Sequence, residues 1–361
     1  MSNLLVWAVR GLLALCLQLC CPAARFQKEE SVRRDPAYAV YETYRYAYER
    51  YGYLFSYAEE TGGEGTVAVG NPSWQGEDGN AGAADREQES TGADGMKTEQ
   101  TGAGSALSAS SLARLQDYDY LMKQYFSVHA STTADRSLMK VEKLLGTDVR
   151  LTKNPDVPQI LIYHTHASET YADYGPQNPD ASVAGAGSYL AELLRQRGWN
   201  VIHDTTAYDR KEGKLERSRA YTYALEGVQG ILQEHPTIEV ILDLHRDGVS
   251  DSLRLVQEIQ GKPTAKIMFF QGMSRTPEGE IAYLPNPYLQ ENLAFCFQMQ
   301  LACGRYPGFT RKIYLKGLRY NLHLRGRSSL IEAGAQTSTK EEVWNAMELL
   351  AEAADSVLQG E

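Results

Sequence analysis

Gln159-Ile160-Leu161-Ile162-Tyr163-His164-Thr165-His166-Ala167-Ser168-Glu169-Thr170-Tyr171 is the stretch on which the reading of this chain turns. Ile160 to Tyr163 is an apolar run rich in β-branched residues, the pattern of a buried strand. It runs at once into His164, His166 and Glu169, three potential metal ligands within six positions. Imidazoles and a carboxylate at the end of a buried strand need a physical reason. A hydrated Zn²⁺ supplies one, because His166 and Glu169, spaced His-x-x-Glu, can place a nitrogen and an oxygen on one ion when the chain turns after the strand. The plainer alternative is a strand end that simply meets a polar loop.

Two more strand ends tip the balance toward metal chemistry. The run from Ile238 to Leu244 leads into His245-Arg246-Asp247-Gly248, and Ser329-Leu330-Ile331 leads into Glu332-Ala333-Gly334. A glutamate after an apolar strand is costly to bury unless it is paired, bound to metal or held for proton transfer. Around these runs strands and helices alternate. Strands are expected at Val149 to Thr152, Trp199 to His203 and Ala265 to Gln271. Helices are expected at Ser137 to Leu145, Gly187 to Gly198, Arg217 to His235, Pro287 to Arg305 and Lys340 to Leu358, after an apolar-periodic segment from Leu115 to Val128. The fold class is therefore α/β, a mixed, mostly parallel central sheet with helices on both faces. Such sheets present functional groups at the carboxyl ends of their strands, so parallel strands would bring all three tips to one rim.

Upstream the composition changes character. Residues 1–24 hold a mostly apolar run, Gly11 to Cys21, short for a bilayer span and suited to an export signal; if Arg10 is tolerated, Leu4 to Cys21 remains as a membrane anchor. Residues 25–58 are tyrosine-rich with interleaved arginines and read as an amphipathic helix. Residues 59–112 carry eleven glycines and ten acids against Arg86 and Lys97, with few large apolar groups. They read as a disordered acidic linker that gives reach. Residues 113–157 form a small first part of the folded region, and 158–361 its catalytic domain. Most of the net charge of −10 lies in the linker, so the folded part is near neutral, which argues against a nucleic-acid-binding surface. Cys296 and Cys303 sit seven apart on one helix and read as thiols, not as a disulfide framework.

The segments Y-H-T-H-A-S-E-T-Y, D-L-H-R-D-G and L-I-E-A-G resemble the stage II sporulation protein P family of endospore-forming bacteria, from about Leu115 to the C-terminus, as does the plan of anchor and variable linker. The resemblance implies a peptidoglycan hydrolase related to zinc N-acetylmuramoyl-L-alanine amidases, with endopeptidase action on cross-links. It also implies work at the sporulation septum, outside the cytoplasm, alongside stage II sporulation proteins D and M during forespore engulfment. Position by position, His166 and His245 match the family's essential histidines, and Glu332 the acid-base glutamate of related amidases. Related amidases take their carboxylate ligand from the start of the next helix, where this chain has no acid and only Glu192 lies further in. Glu169 matches a family acid, and the resemblance accordingly implies it as the third ligand.

On this reading Zn²⁺ held by His166, Glu169 and His245 keeps a fourth position for water, whose pKa falls to roughly 7 in such sites. Glu332 takes the proton of that water and returns it to the leaving nitrogen. Arg246 steadies an oxyanion or a stem-peptide carboxylate, or else pairs with Asp247 or Glu332. His164, two residues from His166 along an extended chain, would point the same way and serve as a support behind the ligands or as a ligand in place of His166. Asp243 is a candidate carboxylate behind His245, or a plain strand acid. His129, His203, His235 and His323 show no partner pattern and read as packing or surface residues. Two rivals remain: a zinc carboxypeptidase-like peptidase, which shares the ligand order, and a non-catalytic peptidoglycan-binding scaffold. Structural zinc sites are usually closed by four ligands rich in Cys, and neither Cys296 nor Cys303 is near these motifs.

Overall fold

The computed structural model describes residues 109–361, and the expectations for 1–24, 25–58 and 59–108 lie outside the described residues. The described chain opens with α1 (Ala109–Leu115), so the last four residues assigned to the linker are helical. The glycine-rich composition has ended by then, and Leu115 is buried in the main core. The segment expected to run unbroken from Leu115 to Val128 divides into α2 (Tyr118–Tyr125), capped by Asp117, which accepts the Tyr120 N–H at 2.8 Å, and the edge strand β1 (Phe126–Val128). After α3 (Val141–Gly146), Val149 to Thr152 joins no strand ladder. Its Leu151 N–H bonds instead to Leu358 at the far end of the chain.

Then comes the alternation that the sequence pattern predicts: β2 (Ile160–Tyr163), α4 (Val183–Gln196), β3 (Val201–His203), the small hairpin β4 (Arg210–Lys211) and β5 (Lys214–Leu215), α5 (Ala220–Glu234) and β6 (Val240–Asp247). α4 starts four residues before its expected position because Ser182 accepts the Gly185 N–H and caps it there. The second half holds β7 (Val256–Ile259), β8 (Lys262–Ala265), β9 (Ile267–Gly272), β10 (Arg275–Thr276), β11 (Gly279–Glu280), α6 (Leu289–Cys303), β12 (Ile313–Lys316), β13 (Ser328–Ala335) and α7 (Lys340–Gln359). α7 opens with a capping box of Thr339 and Glu342. Cys296 and Cys303 both lie on α6 as buried free thiols.

Seven strands form the central sheet in the order β1-β12-β9-β13-β6-β2-β3. Every pairing is parallel except that of β13 with β9, which turns the sheet into the expected mixed, mostly parallel one. β2, β6 and β13 run parallel side by side, with Tyr163 opposite Asp243 and Glu332 opposite His245. Their carboxyl ends therefore share one rim. Side chains alternate between two cores. Ile160, Ile162, Val240, Leu242, Leu244 and Ile331 pack with α4, α6 and α7; Leu161, Tyr163 and Ile241 pack with α5. Among the described residues no helix is long and apolar enough to cross a membrane.

Candidate active site

The register decides which groups meet. Asp243 and His245 alternate onto the α5 side of β6, on the same face as Ile241, and Glu332 lies directly beside His245 on β13. Beyond Tyr163 strand β2 stops and the chain turns, with Glu169 N–H bonding back to the His166 carbonyl at 3.0 Å. That turn presents His166 to the same rim: its ring packs edge-on against His245, centroids 5.3 Å apart, and against Tyr221 of α5 at 5.7 Å. Glu169, only 7% exposed, has Oε2 3.8 Å from His245 Nδ1, and the same oxygen accepts the Arg246 backbone N–H at 3.2 Å. His166, Glu169, His245 and Glu332 are thus brought together from three elements.

Asp243 is fully buried behind them. Its Oδ1 takes the Thr165 N–H at 2.9 Å and its Oδ2 the Thr165 hydroxyl at 2.6 Å. Oδ1 also stands 2.8 Å from His245 Nε2, an ion-pair distance, although Nε2 is not aligned for a hydrogen bond. The electrostatics follow this packing. Burial opposes charge on His245, but Asp243, aided by Glu169 and Glu332, overrides it and holds the imidazole up at about 9. Burial likewise works against an Asp243 carboxylate, and His245 and Thr165 more than offset it. Burial, with the positive neighbour His245, brings His166 down to about 4 and keeps it neutral, the form that ligates metal. Glu332 is partly exposed as a residue, yet its Oε2 is buried without a partner; burial, with Asp247 and Glu169 adding to it, raises the carboxyl to about 8. A strained segment borders the site: Tyr320 and the next residue, Asn321, both have φ near +50 to +60°, and Asn321 bonds to the Tyr221 carbonyl at 2.8 Å.

His164 does not take the place that its spacing from His166 suggests. The i, i+2 rule needs an extended chain, and this one leaves the strand at Tyr163. His164 follows Ile160 and Ile162 onto the α4 side, donates from Nδ1 to the Leu244 carbonyl at 2.8 Å and meets His203 Nε2 through its own Nε2 at 2.8 Å. A carbonyl only accepts, so His164 carries its proton on Nδ1, Nε2 accepts, and His203 donates. Burial pulls both rings down to about 4, helped at His164 by His203. The pair fits against Gly187 of α4, where a Cβ would come within 2.6 Å of His164 and 2.7 Å of His203. His203, read as a packing residue, is the partner of His164; the β3 position opposite Ile162 was the available signal. Arg246 meets Asp247 through the main chain of that residue and not through its carboxylate. Its side chain bonds the Asp247 main-chain carbonyl at 3.1 Å, its Nε is buried without a partner, and the Asp247 carboxylate pairs with Arg311 instead.

Whether these residues suit a metal can be judged from their geometry. Among the described residues no three His, Cys, Asp or Glu side chains are already gathered around one point as a bound ion requires. Ligands about 2.0–2.1 Å from a tetrahedral zinc lie roughly 3.4 Å from one another, so His245 Nδ1 and Glu169 Oε2 at 3.8 Å are a few tenths of an ångström too open. His166 Nδ1 is buried without a hydrogen-bond partner. Two imidazoles and a carboxylate, with an orphaned buried nitrogen among them, are donor chemistry that zinc takes.

The class of fold is a mostly parallel α/β sheet that carries an imidazole-carboxylate cluster at the carboxyl ends of adjacent strands. Within that class the chain belongs to the stage II sporulation protein P family, whose profile matches residues 75–355. None of the curated protein sequences matches it. Among solved structures it is similar to the N-acetylmuramoyl-L-alanine amidase AmiC2 of Nostoc punctiforme, at 11% identity over 57% of this chain and 97% of that one, with a TM-score of 0.33. The N-acetylmuramyl-L-alanine amidase Ami1 of Mycobacterium smegmatis matches at 9% identity over 57% and 99% of the two chains, TM-score 0.33. The N-acetylmuramoyl-L-alanine amidase of Clostridium difficile 630 matches at 12% identity over 56% and 96%, TM-score 0.33.

Proposed function

We propose that this chain is a peptidoglycan hydrolase of sporulation that cleaves the N-acetylmuramoyl-L-alanine amide, with Zn²⁺ held by His166, Glu169 and His245 and Glu332 as the acid-base group. The observation that carries the reading is Glu332: a carboxyl with one oxygen buried and unpartnered, raised to about 8, in register beside His245 and on the rim shared with His166 and Glu169. A carboxyl so poised can accept a proton near neutral pH and give it back. Zinc, when bound, supplies an activated water and polarises the scissile carbonyl.

The remaining residues position and shield. Asp243, fixed by both donors of Thr165, holds His245 from its Nε2 side and leaves Nδ1 turned to Glu169. The Arg246 N–H orients the Glu169 carboxylate, and the Arg246 guanidinium offers charge to an oxyanion or stem-peptide carboxylate. Glu332 takes the water proton as the amide is attacked and delivers it to the leaving nitrogen. Family membership supports work at the sporulation septum, outside the cytoplasm, beside stage II sporulation proteins D and M, with residues 1–24 as tether or export signal and peptide cross-links as a second substrate.

The test is product analysis. The zinc-loaded full chain is incubated with purified cell walls and the released fragments are read by mass spectrometry. Free lactyl ends on muramic acid are the expected result. Shortened stems with intact lactyl amides would make it a peptidase, and an absence of any product would make it a binding scaffold.

A further inference from the structure

The sheet face that carries Glu332 continues past the catalytic cluster as a ladder of aromatic rings. Residues opposite each other in neighbouring strands point to the same side. Glu332 stands opposite Met268 of β9, Leu330 opposite Phe270, and Phe270 opposite Tyr314 of β12. Ring centroids follow one another outward from the site: His166 to Tyr221 at 5.7 Å, Tyr221 to Tyr320 at 5.3 Å, Tyr320 to Phe270 at 4.8 Å and Phe270 to Tyr314 at 5.6 Å. Phe270 is buried as the floor, while Tyr320 and Tyr314 are half-buried. With Leu322 and Leu330 they form a cluster apart from the main core, built only from strands and the loop after β12. Tyr320 sits at φ +48°, a strained conformation for a bulky residue and one that recurs at ligand clamps.

The opposite flank of the site has different chemistry. In the sheet order β9 and β12 lie beyond β13, whereas β3 lies beyond β2. The β4–β5 hairpin follows β3 and is fastened to the turn after β2 by Asp209, whose Oδ2 accepts the Ser168 N–H at 3.2 Å. The hairpin and the turn after it expose Arg210, Lys211, Lys214, Arg217 and Arg219 against two acids. A stem peptide carries free carboxylates, which suit that basic flank. The sugar side of the scissile bond carries none, because muramic acid spends its carboxyl in the amide. Pyranose rings, with apolar C–H faces and polar edges, suit the aromatic flank.

We propose that the glycan strand of the substrate lies along Tyr320 and Tyr314, its pyranose faces stacked on these rings, so that the lactyl arm of muramic acid reaches the Glu332 rim from the β9–β12 side. The proposal rests on the amidase reading and adds where the sugar half of the substrate binds.

The test is binding of short glycan fragments stripped of stem peptides to the metal-free full chain, followed by titration calorimetry. The wild type should bind them. Tyr314→Leu, which keeps an apolar side chain but no ring, should bind about 3- to 10-fold more weakly, and Tyr314→Phe should stay within twofold of the wild type. Unfolding curves confirm that both variants are folded. A wild type that binds no glycan overturns the proposal, as does a Tyr314→Leu chain that binds like the wild type, or a Tyr314→Phe chain as weak as Tyr314→Leu. Glycan binding displaced by free stem peptide would give the ladder to the peptide and overturn it too. Its fate is separate from that of the amidase reading: ring-dependent glycan binding by a chain that releases no lactyl ends when zinc-loaded leaves the ladder standing and removes the amidase, and lactyl release without glycan binding does the reverse.

Discussion

Replacing Glu332 by Gln tests the chemistry and the electrostatics in one substitution. The carboxamide has nearly the same shape, so the packing of β13 against β6 and the His166, Glu169 and His245 side chains stay as they are. What disappears is a group that binds its proton more tightly in the folded chain, at about 8, than at its ordinary value of 4.5. Between those values the folded chain keeps the proton and the unfolded chain has released it. Raising the pH therefore favours unfolding: the contribution is complete below about 4.5 and is lost as the pH climbs through about 8. One proton sets a ceiling of about 1.4 kcal/mol per pH unit on that slope. His245, raised from 6.5 to about 9, acts in the same direction over a higher window, so it leaves a residual slope in the variant. Denaturant unfolding of the metal-free full chain from pH 5 to 8 should thus show Glu332→Gln losing less stability on the way up than the wild type. With zinc restored, loss of the acid-base group should cut turnover on cell walls by about 10²- to 10⁴-fold, or roughly 3–5 kcal/mol of barrier, with zinc content unchanged. A variant that retains turnover within tenfold, or one that loses zinc along with activity, refutes the role given to Glu332.

Three further substitutions probe the supports. Gly187→Ala puts a methyl within 2.6–2.7 Å of both imidazoles of the His164–His203 pair and should destabilise the chain by about 1–3 kcal/mol in equilibrium denaturation; a neutral effect would mean that the pair does not pack there. Asp243→Ala leaves both Thr165 donors and His245 without their buried carboxylate; unfolding should cost about 3–5 kcal/mol less than in the wild type, and the His245 pKa should drop from about 9 to below its ordinary value when followed by NMR. Gly334→Ala must bear φ +65° and a Cβ only 2.5 Å from the Ser338 hydroxyl, so thermal unfolding should register a loss of about 1–3 kcal/mol, accompanied by a weakened Ser338 bond to the Ala335 N–H.

The strands that were legible are those buried on both faces. Ile160 to Tyr163, Val240 to Leu242 and Ile267 to Phe270 are continuous apolar runs because α4, α6 and α7 cover one side of the sheet and α5 part of the other. The two strands toward the β1 edge were not. Phe126–Val128 continues the apolar period of the preceding helix, and only its pairing with Ile313–Leu315 makes it a strand. Ile313–Lys316 alternates buried with half-buried positions over just four residues, a signal too short to stand out between Lys312 and Gly317. In both cases the strand is selected by a neighbour distant in sequence, which a local pattern cannot register.

The same division runs through the site. Asp243, His245 and Glu332 lie inside strands, where period two and parallel register leave one arrangement, so apolar runs ending in chemistry could be read directly. His166 and Glu169 lie one turn beyond a strand, and their meeting depends on the chain abandoning the pleat after Tyr163. His164 keeps the α4 side that Ile160 and Ile162 set, and the departure turns His166 away from it, which an extended-chain rule could not foresee. His203 lies 39 residues beyond His164, opposite Ile162 on β3, and the hydrogen bond between the two imidazoles appears once β3 is set in register against β2. Such an imidazole partner is hidden for a physical reason: it completes the hydrogen bonding of a strand end, whose unmet donors and acceptors are defined only once the neighbouring strands have fixed its shape.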